Sequence, residues 1–274
     1  AIGSILGTRP LAASSPQTDG TLNLMPVPEN VTSHDGRFRV DEALAVGGPG
    51  ATSSRAFKAA ARFMSRLASK TGLFLKQDFL TSQNPPGEGG IRYGYERAGQ
   101  LLPNEDESYA LSVRDAGVSL TAKTDIGVLR GFETLLQLLS ADESGYYFPC
   151  VDISDRPRFT WRGLLIDVGR HFQPIDVIKR NLDAMAAVKM NVLHLHLTED
   201  QGFRVESKVF PKLHELGSDG MFFTQAQIRD IVDYAAGRAI RVMPEFDIPG
   251  HSTSWFVAYP EFSSAPGSYG VERK

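Results

Sequence analysis

The sequence predicts an α/β protein in two parts, a small α+β unit followed by repeated strand–helix units. Up to about residue 156, segments with alternating polar and apolar residues accompany two amphipathic helical segments. After the Pro/Arg-rich stretch at 154–159, short apolar strands alternate with helices. Repeated βα units imply parallel strands joined by right-handed crossovers. The pattern allows an open doubly wound sheet or a (β/α)8 barrel, and three strands alone do not distinguish them.

The first part is predicted at residues 22–156, after a tail or linker at 1–21. Small residues dominate the tail, whereas apolar residues recur at helix and strand spacing from Leu22 onward. The predicted elements are a helix from a cap at Ser54 to Thr71 with Gly72 as its stop, strands 91–97, 108–115 and 117–124 in an antiparallel sheet, and a helix over 125–139.

The second part, residues 157–274, is predicted to hold three βα units. Thr224 followed by Gln227 forms a capping box that starts its last long helix. The predicted elements are strand 163–169, helix 175–190, strand 191–197, a helix that begins near Thr224, and strand 240–246.

Composition excludes several classes of protein. The net charge of -3 over 274 residues leaves no excess of Lys and Arg for nucleic-acid binding. Cys150 is the only cysteine, which excludes an internal disulfide and a Cys-based zinc site. No apolar run approaches the roughly 20 residues of a membrane-spanning helix. The opening AIGSILG and the Ser/Pro/Thr stretch after it are typical of a trimmed export signal or a linker, so export to the periplasm or the cell exterior is a hypothesis.

Polar residues gather at the ends of the predicted strands in the second part. Because side chains alternate along a strand, the leucines of NVLHLHL share one face, whereas His194 and His196 share the other. We expect the histidines to face inward, together with Asp167 and Glu245 from the neighbouring strands. The carboxyl ends of parallel strands are where both kinds of α/β fold build their sites.

Two interpretations of these histidines remain open. They could be core residues that hydrogen-bond to a carboxylate or a backbone carbonyl. Alternatively, His194 and His196 could join His251 and Asp200 to hold zinc or another divalent cation in a metal-dependent hydrolase.

The charged residues beside the histidines also have more than one interpretation. Arg170 could donate hydrogen bonds to hydroxyls or a carboxylate of a ligand, or could pair with Asp167 or Asp200. Glu199 and Asp200 are adjacent and point apart in an extended segment. They are therefore not expected to form by themselves the pair of carboxyl groups that faces a glycoside from two sides.

Four segments of the second part follow one another along the chain: PRFTWRGLLIDVGRHF, HLHLTEDQGFR, FTQAQIRDIVDYAAGRAIRVMPEFDIPGHS and AYPEF. In sequence, order and spacing they resemble glycoside hydrolase family 20, the β-N-acetylhexosaminidases. The first part, from LMPVPENV to ISDRPRF, also resembles the small α/β domain that precedes the family's barrel. The resemblance runs from about residue 22 to the end, and it implies an incomplete (β/α)8 barrel with its first three βα units.

This resemblance implies an exo-acting enzyme that removes terminal N-acetylglucosamine or N-acetylgalactosamine from glycans or chitin oligosaccharides, without a cofactor or a metal. Hydrolysis is retaining and substrate-assisted: the acetamido oxygen of the sugar attacks the anomeric carbon while a glutamic acid protonates the leaving oxygen. The resemblance further implies that Arg170 binds sugar hydroxyls, and that Asp200 and His251 line the site and support the acid. Departures from residues common in the family are Gly169 for Ser or Ala, Glu199 for Asp, and Phe203 for Trp.

The family's catalytic Asp-Glu pair follows the fourth barrel strand, and the sequence ends at Lys274 before any such motif. Three Asp-Glu pairs, at 41–42, 106–107 and 142–143, fall in the first part and lack that context. We therefore expect a truncated chain with no catalytic pair of its own, which is inactive alone. A non-catalytic sugar-binding fragment is the remaining alternative.

Overall fold

The computed structural model describes residues 22–75, 89–265 and 267–271. The predicted tail at 1–21 lies outside the described residues. Two main sheets organise the described chain, and each packs against its own helices. No helix in the described part is long and apolar enough to cross a membrane.

The first part forms a seven-stranded sheet with two helices. In chain order its elements are β1 (Asn30–Val40), β2 (Val46–Gly47), α1 (Arg55–Thr71), β3 (Ile91–Arg97), β4 (Tyr109–Arg114), β5 (Gly117–Thr124), α2 (Asp125–Leu138), β6 (Ser140–Asp142) and β7 (Gly145–Asp155). The spatial order is β1-β7-β4-β5-β3-β2, and β6 pairs with β7.

Helix α1 begins and ends where its sequence predicts. The side chain of Ser54 accepts a hydrogen bond from the N–H of Phe57 at 3.2 Å, which caps the first turn. Gly72 adopts φ 73°, the left-handed conformation that ends many helices. The apolar stripe, which includes Phe63 and Leu67, is buried against the sheet and α2. Both predicted helices of this part are confirmed.

The sheet itself differs from the antiparallel prediction. The β4–β5 hairpin is antiparallel as expected, and so are the pairs that β7 makes with β1, β4 and β6. However, β3 runs parallel to both β2 and β5. Helix α1 lies between β2 and β3 in sequence. It brings the chain back to the same edge of the sheet, so the connection from β2 to β3 is a crossover rather than a hairpin. The sheet is therefore mixed.

The second part forms a three-stranded parallel sheet, as predicted. Its elements in chain order are β8 (Gly163–Asp167), α3 (Ile175–Ala187), β9 (Val192–His196), β10 (Thr198–Glu199), β11 (Gly202–Phe203), α4 (Lys212–Gly217), α5 (Gln225–Ala236), β12 (Arg241–Glu245) and α6 (Thr253–Ala258). The strand order is β12-β9-β8, and β10 pairs with β11 in a small hairpin.

The helices of this part cover one face of the parallel sheet. Leu193 and Leu195 of β9 are buried in the core with α3 and α5, as alternation predicts. The capping box of Thr224 and Gln227 starts α5. Helix α3 ends three residues before its predicted end at residue 190, because the chain turns at Lys189 with φ 61°.

A buried polar junction joins the first sheet to the amino ends of the three parallel strands. Glu107, 4% exposed, accepts hydrogen bonds from Arg130 at 2.6 Å, from Arg162 at 2.5 Å and from the side chain of Asn191 at 2.8 Å. Arg130 also donates to the carbonyl of Ala239 at 3.0 Å. Because residues 162, 191 and 239 precede β8, β9 and β12, one carboxylate and its partners hold the starts of all three strands.

A second ion pair strengthens the same junction. The ammonium of Lys189 donates to the hydroxyl of Tyr109 at 2.9 Å and to Asp155 at 3.1 Å. Burial lowers the pKa of Lys189, and the nearby charge and hydrogen bond of Asp155 oppose that shift. These contacts lie near the amino ends of the parallel strands, whereas Asp167, His196 and Glu245 lie at their carboxyl ends.

Candidate functional site

Three side chains lie side by side at the carboxyl ends of the parallel strands. Asp167 is in register with His196, and His196 with Glu245. Oε2 of Glu245 lies 2.6 Å from Nε2 of His194 and 2.7 Å from Nδ1 of His196. Both histidines therefore hydrogen-bond to a carboxylate, as the first interpretation expects, but only His196 is buried, and His194 is partly exposed.

Glu199 is the centre of the site, although the residues predicted to line it were Arg170, Asp200 and His251. Its side chain is 2% exposed. One carboxylate oxygen lies 3.2 Å from Nε2 of His196 and forms an ion pair with the guanidinium of Arg170. The other oxygen lies 3.0 Å from Nδ1 of His251. The β10–β11 hairpin turns Glu199 back toward the strand ends, so this carboxylate contacts residues from three separate segments.

Arg170 is fixed in place yet remains open to a ligand. It donates from its side chain to Asp167 at 2.6 Å, and its backbone N–H donates to the same carboxylate at 2.9 Å. The hydrogen bond that Arg170 donates to Asp167 raises the pKa of Arg170, partial burial opposes this, and the charges of Glu199 and Asp200 raise it further. The side chain is 49% exposed. Of the partners considered from the sequence, Asp167 is confirmed, and Glu199 takes the place of Asp200.

Asp200 has a different main contact from the one predicted. Its Oδ1 accepts hydrogen bonds from the backbone N–H and the hydroxyl of Thr253, at 3.0 and 2.7 Å, where helix α6 begins. Its other oxygen lies 3.8 Å from Nδ1 of His251. Burial alone raises the pKa of Asp200, but the two hydrogen bonds from Thr253 and the charges of His251 and Arg170 lower it overall. Asp200 thus acts mainly on the α6 start and only secondarily on the site.

His251 occupies a backbone conformation that is uncommon for a side chain of its size. Its φ is 53°, in the left-handed region, within the PGHS turn after β12. Residues held in such conformations cluster at functional sites, where the surrounding structure determines them. The turn aims Nδ1 at Glu199 while half of the side chain stays exposed.

The predicted metal set is not assembled in the described residues. Two groups have ligand atoms within 4.8 Å of one another, Asp167 with His196 and Glu199, and Glu199 with Asp200 and His251. In the ranges that the structure describes, His194, His196 and His251 do not come together in one such group. The guanidinium of Arg170 bridges Asp167 and Glu199, so a side-chain cation already pairs with both carboxylates of the first group.

The parallel βα units bring polar groups together at the carboxyl ends of the strands, where α/β folds of both kinds build their sites. The chain belongs to glycosyl hydrolase family 20. Residues 159–273 match the family's catalytic domain, and residues 21–156 match its domain 2. The fold predicted from the family resemblance is confirmed.

Several known proteins are similar to this chain over most of its length. A protein named beta-hexosaminidase from Porphyromonas gingivalis is 37% identical over 93% of the chain, which corresponds to 34% of that protein. The structure of a Flavobacterium johnsoniae chitobiase is 48% identical with a TM-score of 0.86, over 92% of this chain and 38% of that one. The structure of a Streptomyces plicatus N-acetyl-beta-hexosaminidase in complex with Thio-NAglucal is 33% identical with a TM-score of 0.76, over 91% of this chain and 51% of that one. The chain thus spans about a third of the curated relative.

Proposed function

We propose that this chain supplies part of the sugar site of an exo-acting β-N-acetylhexosaminidase. The enzyme would remove terminal N-acetylglucosamine or N-acetylgalactosamine from glycans or chitin oligosaccharides by substrate-assisted hydrolysis. The observation that carries the proposal is Arg170, half-exposed at the strand ends and fixed by Asp167 and Glu199. The names of the family relatives support the same activity.

Arg170 suits the binding of vicinal sugar hydroxyls. A guanidinium has five N–H donors in a rigid fork, and the two carboxylates engage only part of that fork. Because Asp167 and Glu199 hold it before a ligand arrives, little conformational entropy is lost on binding. Because the side chain is 49% exposed, the remaining donors are available to hydroxyl groups of a terminal sugar.

His251 suits the support of a general acid. Its Nδ1 faces Glu199, which leaves Nε2 for another group. A carboxylate that holds one imidazole nitrogen fixes the tautomer and orientation of the ring. The acid itself is not among the residues we assign, since the sequence has its three Asp-Glu pairs in the first part.

We further propose that these 274 residues bind the sugar without hydrolysing it. Glu107, in one of the three pairs, is buried in the junction at the opposite ends of the strands. Asp142, in another, pairs with Arg39 on the first sheet. A positioned general acid contributes about 10² to 10⁴ in rate, so its absence from the site would leave binding as the measurable property.

The proposal is tested with the full-length polypeptide that carries this sequence, assayed on a nitrophenyl N-acetylglucosaminide and the matching glucoside. We expect hydrolysis of the first substrate alone. Arg170→Ala removes charge-assisted hydrogen bonds and should weaken transition-state stabilisation by several kcal/mol. We therefore expect kcat/KM to fall on the order of 10² to 10³-fold. Arg229→Ala, on the exposed side of α5, is the matched control. Activity that a chelator abolishes, or no activity on the acetamido sugar, would contradict the proposal.

Export is a separate proposal, supported by the composition of residues 1–21. Cell fractionation of the native host should recover the activity in the periplasm or the medium. Recovery in the cytosol alone would contradict it.

A further inference from the structure

His196 is a buried histidine whose two ring nitrogens both face carboxylates. Its side chain is 8% exposed. Nδ1 lies 2.7 Å from Glu245, and Nε2 lies 3.2 Å from Glu199. An ionised carboxylate only accepts hydrogen bonds, and a neutral imidazole has a single N–H to donate. Both contacts are hydrogen bonds at once only if His196 carries two ring protons or one of the two carboxyl groups is protonated.

The charges around His196 favour two ring protons. Facing it are Asp167 and Arg170 from the β8 side, Glu245 from β12, Glu199 from the β10–β11 hairpin with His251 beyond it, and His194 from its own strand. These groups include three carboxylates and a single permanent cation. A second cation at the centre of the cluster offsets the excess of negative charge where little water reaches it.

The pKa of the His196 ring also favours two ring protons. Burial alone lowers the pKa of His196. The hydrogen bond and charge of Glu245 oppose this, together with Asp167 and Glu199, and raise the pKa above its usual value of 6.5.

We propose that His196 is a positioning residue, an imidazolium that ties Glu199 to Glu245 and thereby orients the carboxylate that holds Arg170 and His251. The inference rests on the proposed function, because those two residues face the sugar in it. Glutamate has several rotatable side-chain bonds, and the contact with His196 restricts them from the side opposite the ligand. His196 itself does not touch the sugar.

The protonation state is tested by neutron diffraction from crystals of the full-length protein near pH 6. We expect deuterium on both Nδ1 and Nε2 of His196. A single deuterium on the ring would overturn the proposal, whether the second deuterium is on a carboxyl group or absent. This measurement needs no enzymatic activity, so its failure is distinguishable from failure of the proposed hexosaminidase function.

The positioning role is tested with His196→Gln in the full-length enzyme. The two donors of glutamine sit on one nitrogen, so it cannot bridge Glu245 and Glu199 as the ring does. We expect KM to rise, because Arg170 loses its orientation. We expect kcat to fall, because His251 also loses its orientation. A misplacement of about 1 Å costs up to 10²-fold in rate, so kcat/KM should fall by about 10- to 100-fold.

Two other histidines provide the comparisons. His34→Gln removes an exposed His–carboxylate pair on the first sheet, with Asp152 at 2.7 Å, and should leave both constants unchanged. His194→Gln removes one contact to Glu245 without touching Glu199, and should cost less than His196→Gln. Unchanged KM and kcat per folded molecule in His196→Gln would overturn the proposal, even if that variant unfolds at a lower temperature. If His196→Gln does not fold, the neutron measurement decides.

Discussion

The backbone of Gly169 passes directly against the side chain of Glu199. A Cβ atom at position 169 would lie 2.9 Å from the Cβ of Glu199 and 3.1 Å from its Cγ, closer than real side chains pack. Both positions differ from the residues common in family 20, where Ser or Ala and a shorter Asp are usual. A side chain added at position 169 would therefore press on the base of the Glu199 side chain, so the two positions are in direct contact.

This contact predicts that substitutions at the two positions are not additive. Gly169→Ser alone should displace Glu199 and lower kcat/KM about tenfold or more, because Arg170 and His251 both depend on that carboxylate. Because the two residues are in contact, the double variant with Glu199→Asp should depart from the sum of the single effects by about 1 kcal/mol of coupling. Kinetics of the four proteins of this cycle measure the coupling. Strict additivity would show that the two positions adjust independently.

Glu199 is predicted to matter more for activity than its neighbour Asp200. Glu199→Gln keeps the shape of the side chain but removes the charge that pairs with Arg170 and His251. Asp200→Asn mainly weakens the hydrogen bonds to Thr253, a change worth about 1 kcal/mol of stability. We expect kcat/KM to fall at least tenfold further in the first variant, measured on the same substrate. The reverse ranking would return Asp200 to the central role that the family resemblance implied.

Glu107 is predicted to be the most sensitive residue of the junction. Glu107→Ala leaves the buried guanidinium of Arg130 without its carboxylate, and an uncompensated buried charge costs about 3 to 5 kcal/mol. Chemical denaturation should show this loss in the free energy of unfolding. The exposed pair of Glu29 with Arg156 is the matched control, and Glu29→Ala should change stability little. Equal effects at the two sites would argue against a buried junction.

The His196–Glu245 pair predicts a pH window of stability. The hydrogen bond from His196 lowers the pKa of Glu245, whose contribution is therefore present above about pH 4.5 and lost as pH falls through its folded pKa. The raised pKa of His196 gives a contribution that is full below about pH 6.5 and lost as pH rises through its folded pKa. The difference in unfolding free energy between the wild type and His196→Gln should be greatest between these limits. A difference that grows steadily above pH 7 would contradict the assignment.

The sequence predicts those elements whose signals are local. Ser54 and Gly72 delimit α1 through cap chemistry, and the alternation in β9 directs His194 inward because that strand is buried on its helix side. Strand β1 has no such signal, since nine of its eleven residues are exposed and only Phe38 and Val40 are buried. An edge strand with this pattern depends on pairing with β7, which lies more than a hundred residues later.

The sequence predicted where the candidate site lies but not the contacts that its residues make. Strand alternation brought Asp167, His196 and Glu245 to one edge, and the register of the sheet confirms it. The role of Glu199 depends on the two-residue strands of the β10–β11 hairpin, which reverse the chain at a point where propensity is weak. The only sequence signal for it was the paired departure at positions 169 and 199, and its meaning needed the spatial contact.

The junction and the candidate site lie at opposite ends of the same three strands, each of five residues and therefore about 17 Å long. Mutations that retune the loops after β8, β9 and β12 can accumulate while Glu107 continues to hold the strand starts. The first part, which supplies none of the sugar-site residues proposed above, would thus hold the strand starts in place while the loops change with the substrate. Laboratory exchange of those loops between relatives is best done with the whole first sheet and its junction residues kept intact.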